Sequence, residues 1–318
     1  MDAGAHVREG CILEEQVSGA HCVGLKQTIL FPFVTLGSLI NFCDCLMAGG
    51  TSRYNHSEVG SSYIHFNFTP NADKTTPSLL GDVPRGVMLN QPPIFLGGQG
   101  GMVGPVRLGY GNVVAAGSIL RHDYPQDNQL IFSAPHSEGV SSFEPLAYPN
   151  FRRVVENNIF YLANLKALEG WYTQVRKPFL EAQGFGSLIY NGAINILSLA
   201  LKERLQRLQL MTEKTIFPGT RKLGSISKER RNLFERMPDI EGLLNASAED
   251  DKTRQMQDTF FRAFVKFRKN ENINYIETIQ KLPPDVSAKG VKWLQYIVDY
   301  YCQKISRMIP SIELFKTS

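Results

Sequence analysis

Cysteine is scarce: the 318 residues hold five (Cys11, Cys22, Cys43, Cys45 and Cys302) and no Cys-x-x-Cys pair. That excludes the small secreted scaffolds held by disulfides and the common thiolate metal knuckles. Long apolar runs are missing as well, and none approaches the roughly 20 residues that a membrane-crossing helix needs. The N-terminus lacks the basic-then-apolar order of a secretion signal, so the cytoplasm is the expected compartment. Charged residues make up 20% of the chain and hydrophobic ones 43%, the balance of an ordinary soluble protein.

The sparse charge is unevenly spread. Residues 1–150 hold 7 Lys+Arg against 12 Asp+Glu, whereas residues 151–318 hold 27 against 18. Nineteen of the 27 glycines fall in the first half. Such a shift in composition marks a domain boundary near residue 150.

What the first half does contain is a six-residue rhythm. Leu96, Met102, Leu108, Val114 and Leu120 recur at intervals of six in a glycine-rich, weakly charged stretch. Six matches neither the helix period of 3.6 nor the strand period of two. It is the spacing of the hexapeptide β-helix, in which one apolar side chain per hexad turns inward. Val17, Val23 and Ile29 keep the same rhythm, and Val34 and Ile40 continue it after a one-residue slip. Residues 4–123 are therefore expected to form a left-handed parallel β-helix of five or six coils. Because Met1 precedes a repeat already under way at Gly4, the chain is expected to be a fragment or to lack an upstream cap.

Residues 44–58 and 67–93 are too polar or too proline-rich to wind, and loops thrown out from such a scaffold carry its function. Cys43 and Cys45 alternate in an apolar run and read as thiols lining the core or a face. A linker rich in Pro, Ser and Asn follows over 124–150. Residues 151–318 then read as an all-α domain with four apolar stripes. These are Val155/Ile159/Leu162/Leu165, Ile194/Leu197/Leu201/Leu205/Leu208, Phe260/Phe264/Phe267 and Leu294/Ile297/Tyr301/Ile305, with Pro178, Pro218, Pro238 and Pro283-Pro284 between them. The basic clusters around Arg221-Lys222, Lys228–Arg231 and Lys266–Lys269 are interleaved with acid and read as solvated faces, so nucleic acid is not an expected partner.

The run from Phe95 to Asp123, FLGGQGGMVGPVRLGYGNVVAAGSILRHD, resembles the C-terminal coils of the bifunctional UDP-N-acetylglucosamine pyrophosphorylase/glucosamine-1-phosphate N-acetyltransferase. His65 to Lys74 resembles that family's substrate loop. The resemblance covers a little over a third of the chain. It implies a homotrimer of β-helices that binds acetyl-CoA along the coils and acetylates an amino-sugar phosphate or a nucleotide sugar. It also implies cofactor contacts at Gly98 and Ala116, and substrate contacts at Asn67, Phe68 and Lys74.

Where the family places a catalytic histidine, ungapped alignment back from Asn67 puts Asp44, and Met47 replaces a substrate-binding tyrosine. Asp44, or His56 from the neighbouring loop, is then the expected proton acceptor. The family's nucleotidyltransferase half has no counterpart in these residues, so no pyrophosphorylase activity is expected. Because the histidine is replaced and a helical domain is added, a second expectation stands beside the enzyme: a non-catalytic trimeric module that binds a sugar nucleotide or serves as a scaffold, its helical domain engaging a partner. His56, His65 and His122 do not fall at matching positions of successive hexads, so no metal site is expected.

Overall fold

The computed structural model describes residues 1–133, 139–143, 146–216, 227–246, 250–268 and 274–315. Short parallel strands dominate the first part and form three ladders. The first runs through His6–Val7, the start of Gly24–Leu30, the start of Asn41–Met47, Ile64–Phe66, Gly101–Val103 and Ile119–Leu120. The second takes Ile12–Leu13, the ends of the same two long strands, Ser78–Leu80 and Arg107–Leu108. The third joins Ser18–Gly19, Thr35–Leu36, Glu58–Val59, Phe95–Leu96, Val113–Val114 and Leu130–Ile131.

Registers show how the hexads are used. His6 lies beside Gly24, Gly24 beside Asn41, Phe95 beside Val113 and Val113 beside Leu130, so where no excursion intervenes the chain returns to a ladder after 17 or 18 residues. Three hexads thus make one round, with one strand in each ladder. Leu96, Met102, Leu108, Val114 and Leu120 are all buried, as the spacing predicts, and so are Val23, Ile29, Val34 and Ile40. The rounds continue past residue 123: Tyr124 bridges to Leu108 and Leu130–Ile131 pairs with Val113–Val114, so part of the expected linker is a sixth round.

Between ladders the backbone turns three corners per round, many of them through left-handed residues that are not glycine. Gln27 and Asp44 (φ 50° and 62°) mark the first corner, and Gln16 and Phe33 (60° and 74°) the second. Cys22, Leu39, Ser62 and Gln99 (φ 53° to 61°) mark the third. Left-handed φ is unfavourable for residues with a Cβ. A recurring hydrogen bond offsets it: the corner amide donates to a carbonyl one round earlier, as in Leu39 to His21 (3.1 Å), Ser62 to Ser38 (2.8 Å) and Gln99 to Ser61 (2.8 Å).

The two expected excursions are real but shorter than the sequence suggested. The strand Asn41–Met47 runs through Asp44, and the chain leaves the coil only for the hairpin Gly50–Ser52/Asn55–His56. Within 67–93, Ser78–Leu80 returns to pair with Cys45–Met47, and a single turn, α1 (Val83–Gly86), follows.

Seven further α-helices are described: α2 (Phe151–Trp171), α3 (Lys177–Glu181), α4 (Gly186–Ile216), α5 (Lys228–Asn245), α6 (Asp251–Arg268), α7 (Tyr275–Gln280) and α8 (Pro284–Met308). The predicted stripes lie on α2, α4, α6 and α8, and nearly all their residues are buried. α8 begins on Pro284, whose fixed φ suits a first helical position. Pro238, in contrast, lies inside α5 and separates nothing. Trp171, Phe260 and Trp293 stack where α2, α6 and α8 meet, with centroids 6.1 and 5.8 Å apart. One continuous apolar core spans coils and helices. Asn158 of α2 donates to the Thr75 carbonyl (3.1 Å), and Glu156 pairs with Arg107 at 3.1 Å, so the helices cover the second ladder.

Candidate functional site

The expected proton acceptor, Asp44, is placed by the strand that carries it. In Phe42-Cys43-Asp44-Cys45-Leu46, Phe42 and Leu46 are fully buried, while left-handed Asp44 turns the corner between the first and second ladders. Its side chain meets α4. Arg204 Nη2 lies 2.8 Å from Asp44 Oδ1, Asn67 Nδ2 donates to Oδ2 at 3.2 Å, and Thr76 Oγ1 reaches Oδ2 at 3.4 Å. Asp44 and Arg204 are each only 3% exposed. Both carboxylate oxygens are engaged, and the buried charge is neutralised by a cation from 160 residues away in the chain.

Behind this pair, His65 Nε2 lies 2.7 Å from Ser78 Oγ, which also accepts from the Val106 amide at 2.9 Å. Burial lowers the His65 pKa to about 4, with nearby Asp44 opposing the shift, so the ring is neutral. Burial also raises the Cys43 and Cys45 thiols, which stay protonated and unreactive.

Asn67 reaches Asp44, but its neighbours on the loop face elsewhere. Phe68 is 74% exposed. Lys74 holds a left-handed turn (φ 56°), its amide donating to Thr69 Oγ1 at 3.1 Å and its carbonyl facing Arg204 Nη1 at 3.5 Å. The loop is gripped from several sides: Lys214 donates to the Asn71 carbonyl, Leu146 N to Asn71 Oδ1 (3.2 Å), and Tyr148 to Asp73.

His56 stands at another corner. It ends the hairpin between the second and third ladders, with Nδ1 3.4 Å from the Ser57 carbonyl, and the whole Cys45–Met47 segment separates it from Asp44. That hairpin borders a groove of about 730 Å³ lined by Phe33, Thr51, Tyr54, Gln183, Tyr275 and Gln280, among others. Arg53 also lines it, but its guanidinium is engaged with the Gln16 and Phe33 carbonyls and with Thr35 Oγ1 (2.8 Å). Glu15 at the groove's edge pairs with Arg176 (2.7 Å), which lies 3.7 Å from the centre of the Tyr275 ring. Adjacent Glu14 accepts a hydrogen bond from Tyr172; desolvation lifts its pKa to about 7, Arg176 opposing and Glu15 adding.

Gly98 and Ala116 belong to the third corner, between the third and first ladders. A Cβ on Gly60 would lie 2.4 Å from Gly98 N, one on Gly97 2.3 Å from Ala116 N, and one on Gly98 2.9 Å from the Ser61 carbonyl. The stacking of one corner on the next requires glycine at 60, 97 and 98, which is reason enough for Gly98 without a cofactor arm, while Ala116 is exposed.

The expected residues are therefore divided: Asp44, Asn67, Phe68 and Lys74 at the first corner, His56 at the second, Gly98 and Ala116 at the third. The first corner's main partner, Arg204, is not among the residues that the sequence pattern singles out. It continues the core-facing spacing Leu197, Leu201, Arg204, Leu208, and a charge in that register was the available signal. Arg221, Lys222 and Lys269 of the basic clusters lie outside the described residues. Arg230 of the remaining clusters bonds the Leu146 carbonyl at 3.3 Å rather than facing solvent alone. Among the described residues, no group of three His, Cys, Asp or Glu side chains is arranged to hold a metal ion, and no helix is long and apolar enough to cross a membrane. No protein-family model matches the chain, and none of the curated proteins matches it significantly.

Proposed function

We propose that the coils form a left-handed hexapeptide β-helix that assembles as a trimer and works as a non-catalytic module, binding a sugar nucleotide while its helical domain engages a partner. The observation carrying this reading is the closed state of Asp44. Acid–base chemistry needs a group within hydrogen-bond reach of a substrate proton. Asp44 has both oxygens committed to Arg204, Asn67 and Thr76 and almost no solvent contact. The 17- and 18-residue rounds support the β-helix, and the outward-facing Ile64, Phe66, Phe95 and Val113 offer apolar surface for trimer packing.

Incubation with acetyl-CoA and glucosamine-1-phosphate tests the reading, with free thiol as readout. No thiol release is expected, whereas UDP-N-acetylglucosamine raises the melting temperature by binding only the folded state. Steady release of CoA thiol dependent on the amino sugar would overturn it.

The second reading is an acetyl-CoA-dependent N-acetyltransferase with Asp44 as base. It is favoured by Asn67, which touches Asp44 while the adjacent Phe68 ring is open to solvent. On that reading Arg204 suppresses the base, and Arg204→Ala raises turnover. On the first reading the variant has no turnover to raise.

A further inference from the structure

Trp293 is only 1% exposed, yet its indole N–H has no acceptor among the described residues. The chain's other tryptophan shows the ordinary arrangement, Trp171 Nε1 donating to the Tyr275 hydroxyl at 3.0 Å. A buried donor without a partner is rare in folded proteins and marks a place for an acceptor from outside the chain. Trp293 borders a cavity of about 220 Å³ between α2, α6 and α8, several times the roughly 30 Å³ that a water molecule takes up in the liquid. Gly170 of α2 forms part of the wall. Its backbone is not left-handed, and a Cβ there would meet only Ile297 Cδ1 at 3.5 Å and Trp293 Cζ2 at 3.7 Å, both ordinary contacts. The indole edge that carries Nε1 is therefore the one turned towards Gly170. Neither backbone nor packing requires glycine at this position, where it weakens the helix; its missing side chain keeps the cavity open. A π-helical turn, Tyr172–Arg176, follows and brings Thr173 and Gln174 to the wall, and such turns recur at functional sites.

We propose that this cavity binds a small carboxylate with a compact apolar body, its oxygens accepting from Trp293 and Lys166 and its body lying against Ile297 and Tyr301. Lys166 supplies the charge. Its side chain is only 9% exposed, with Nζ 2.5 Å from Glu169 Oε2 and 6.0 Å from the centre of the Tyr301 ring. An ammonium has three N–H donors, and Glu169, 40% exposed, takes one of them. The indole and the ammonium both need acceptors, and the acceptor that Lys166 already holds is a carboxylate. A cationic ligand would meet the charge of Lys166 and could not satisfy the indole. Buried Trp293, Ile297 and Tyr301 give the walls the mostly apolar character of a small-molecule site with a few placed polar groups. The site lies wholly among the helices, so it stands apart from any sugar nucleotide on the coils.

Benzoate is the probe, titrated into the full chain and followed by intrinsic fluorescence and by melting temperature. Trp293 is one of only two tryptophans, so its emission reports on the site. The fluorescence change is expected to saturate and the melting temperature to rise, because a ligand that binds only the folded state stabilises it. Benzamide, of the same shape without the charge, is expected to bind at least about tenfold more weakly, as the strength of hydrogen bonds to charged groups requires. In Lys166→Met that preference disappears, and the variant keeps its fold because Glu169 is left at the surface. Gly170→Leu fills the cavity and loses the response to both compounds, with circular dichroism unchanged. No saturable response from the wild type overturns the proposal and leaves the cavity to water. Saturation that persists in a folded Gly170→Leu, equal affinities for benzoate and benzamide, or a preference unchanged in Lys166→Met overturns it as well.

Discussion

The first and third corners of the coil solve the same turning problem in opposite ways. At the first, polar side chains gather and a helix from the second half of the chain closes over them: Asp44 is covered by Arg204, Asn67 and Thr76. At the third, glycines at 37, 60, 97 and 98 let successive corners approach closely, their backbone packing on that of the next round. Both patterns draw the eye in a sequence. Their causes differ, because one satisfies a buried charge and the other removes steric bulk.

The comparison is broken most severely at the first corner. Arg204→Met leaves Asp44 as an uncompensated buried charge, and unfolding in urea is expected to show a loss of about 3–5 kcal/mol. Adding Asp44→Asn to that variant restores part of the loss; a double variant no more stable than the single one would mean that the pairing is not what holds the corner. At the third corner, Gly97→Ala drives a Cβ to 2.3 Å from Ala116 N, and overpacking of this kind costs about 1–3 kcal/mol. Gly117→Ala calibrates that effect. Its φ is 74° but nothing lies within 4 Å of its Cβ, so only the conformational cost of roughly 1–2 kcal/mol remains.

The net effects over pH are the smallest, because two contributions of opposite sign offset each other in the wild type. Glu14, raised from 4.5 to about 7 by desolvation, holds its proton more tightly when folded, so its contribution is full below 4.5 and is lost as pH rises through about 7. His65, lowered from 6.5 to about 4 by burial, contributes above 6.5 and loses that contribution as pH falls towards 4. The two trends partly cancel in the wild type. In melting temperatures taken between pH 4.5 and 8, Glu14→Gln should lose the decline on the alkaline side and keep the acid one, and His65→Phe should do the reverse. If neither variant changes the profile, burial of these groups is not what tunes it.

Much of this architecture was legible in the sequence because it is periodic. Intervals of six exposed the inward column from Leu96 to Leu120, and steps of three and four exposed the core faces of α2, α4, α6 and α8. The contacts that decide the candidate site are not periodic. Asp44 and Arg204 belong to different periodicities, and nothing local links them. Thr76 and Ser78 sit in a stretch whose prolines suggested only a loop, although Ser78–Leu80 is a strand in the second ladder. That the last round runs past residue 123 was not legible, because Tyr124 and Leu130–Ile131 pair with earlier strands across a polar, irregular segment.

The bond between Asp44 and Arg204 also orders events during synthesis. The rounds end at Ile131, and α4 leaves the ribosome on the order of ten seconds later at ordinary elongation rates. Throughout that interval Arg204, the cation that neutralises Asp44 in the finished chain, has yet to be made. Asp44 can therefore be buried as a paired charge only once α4 has been made, however early its own strand is synthesised.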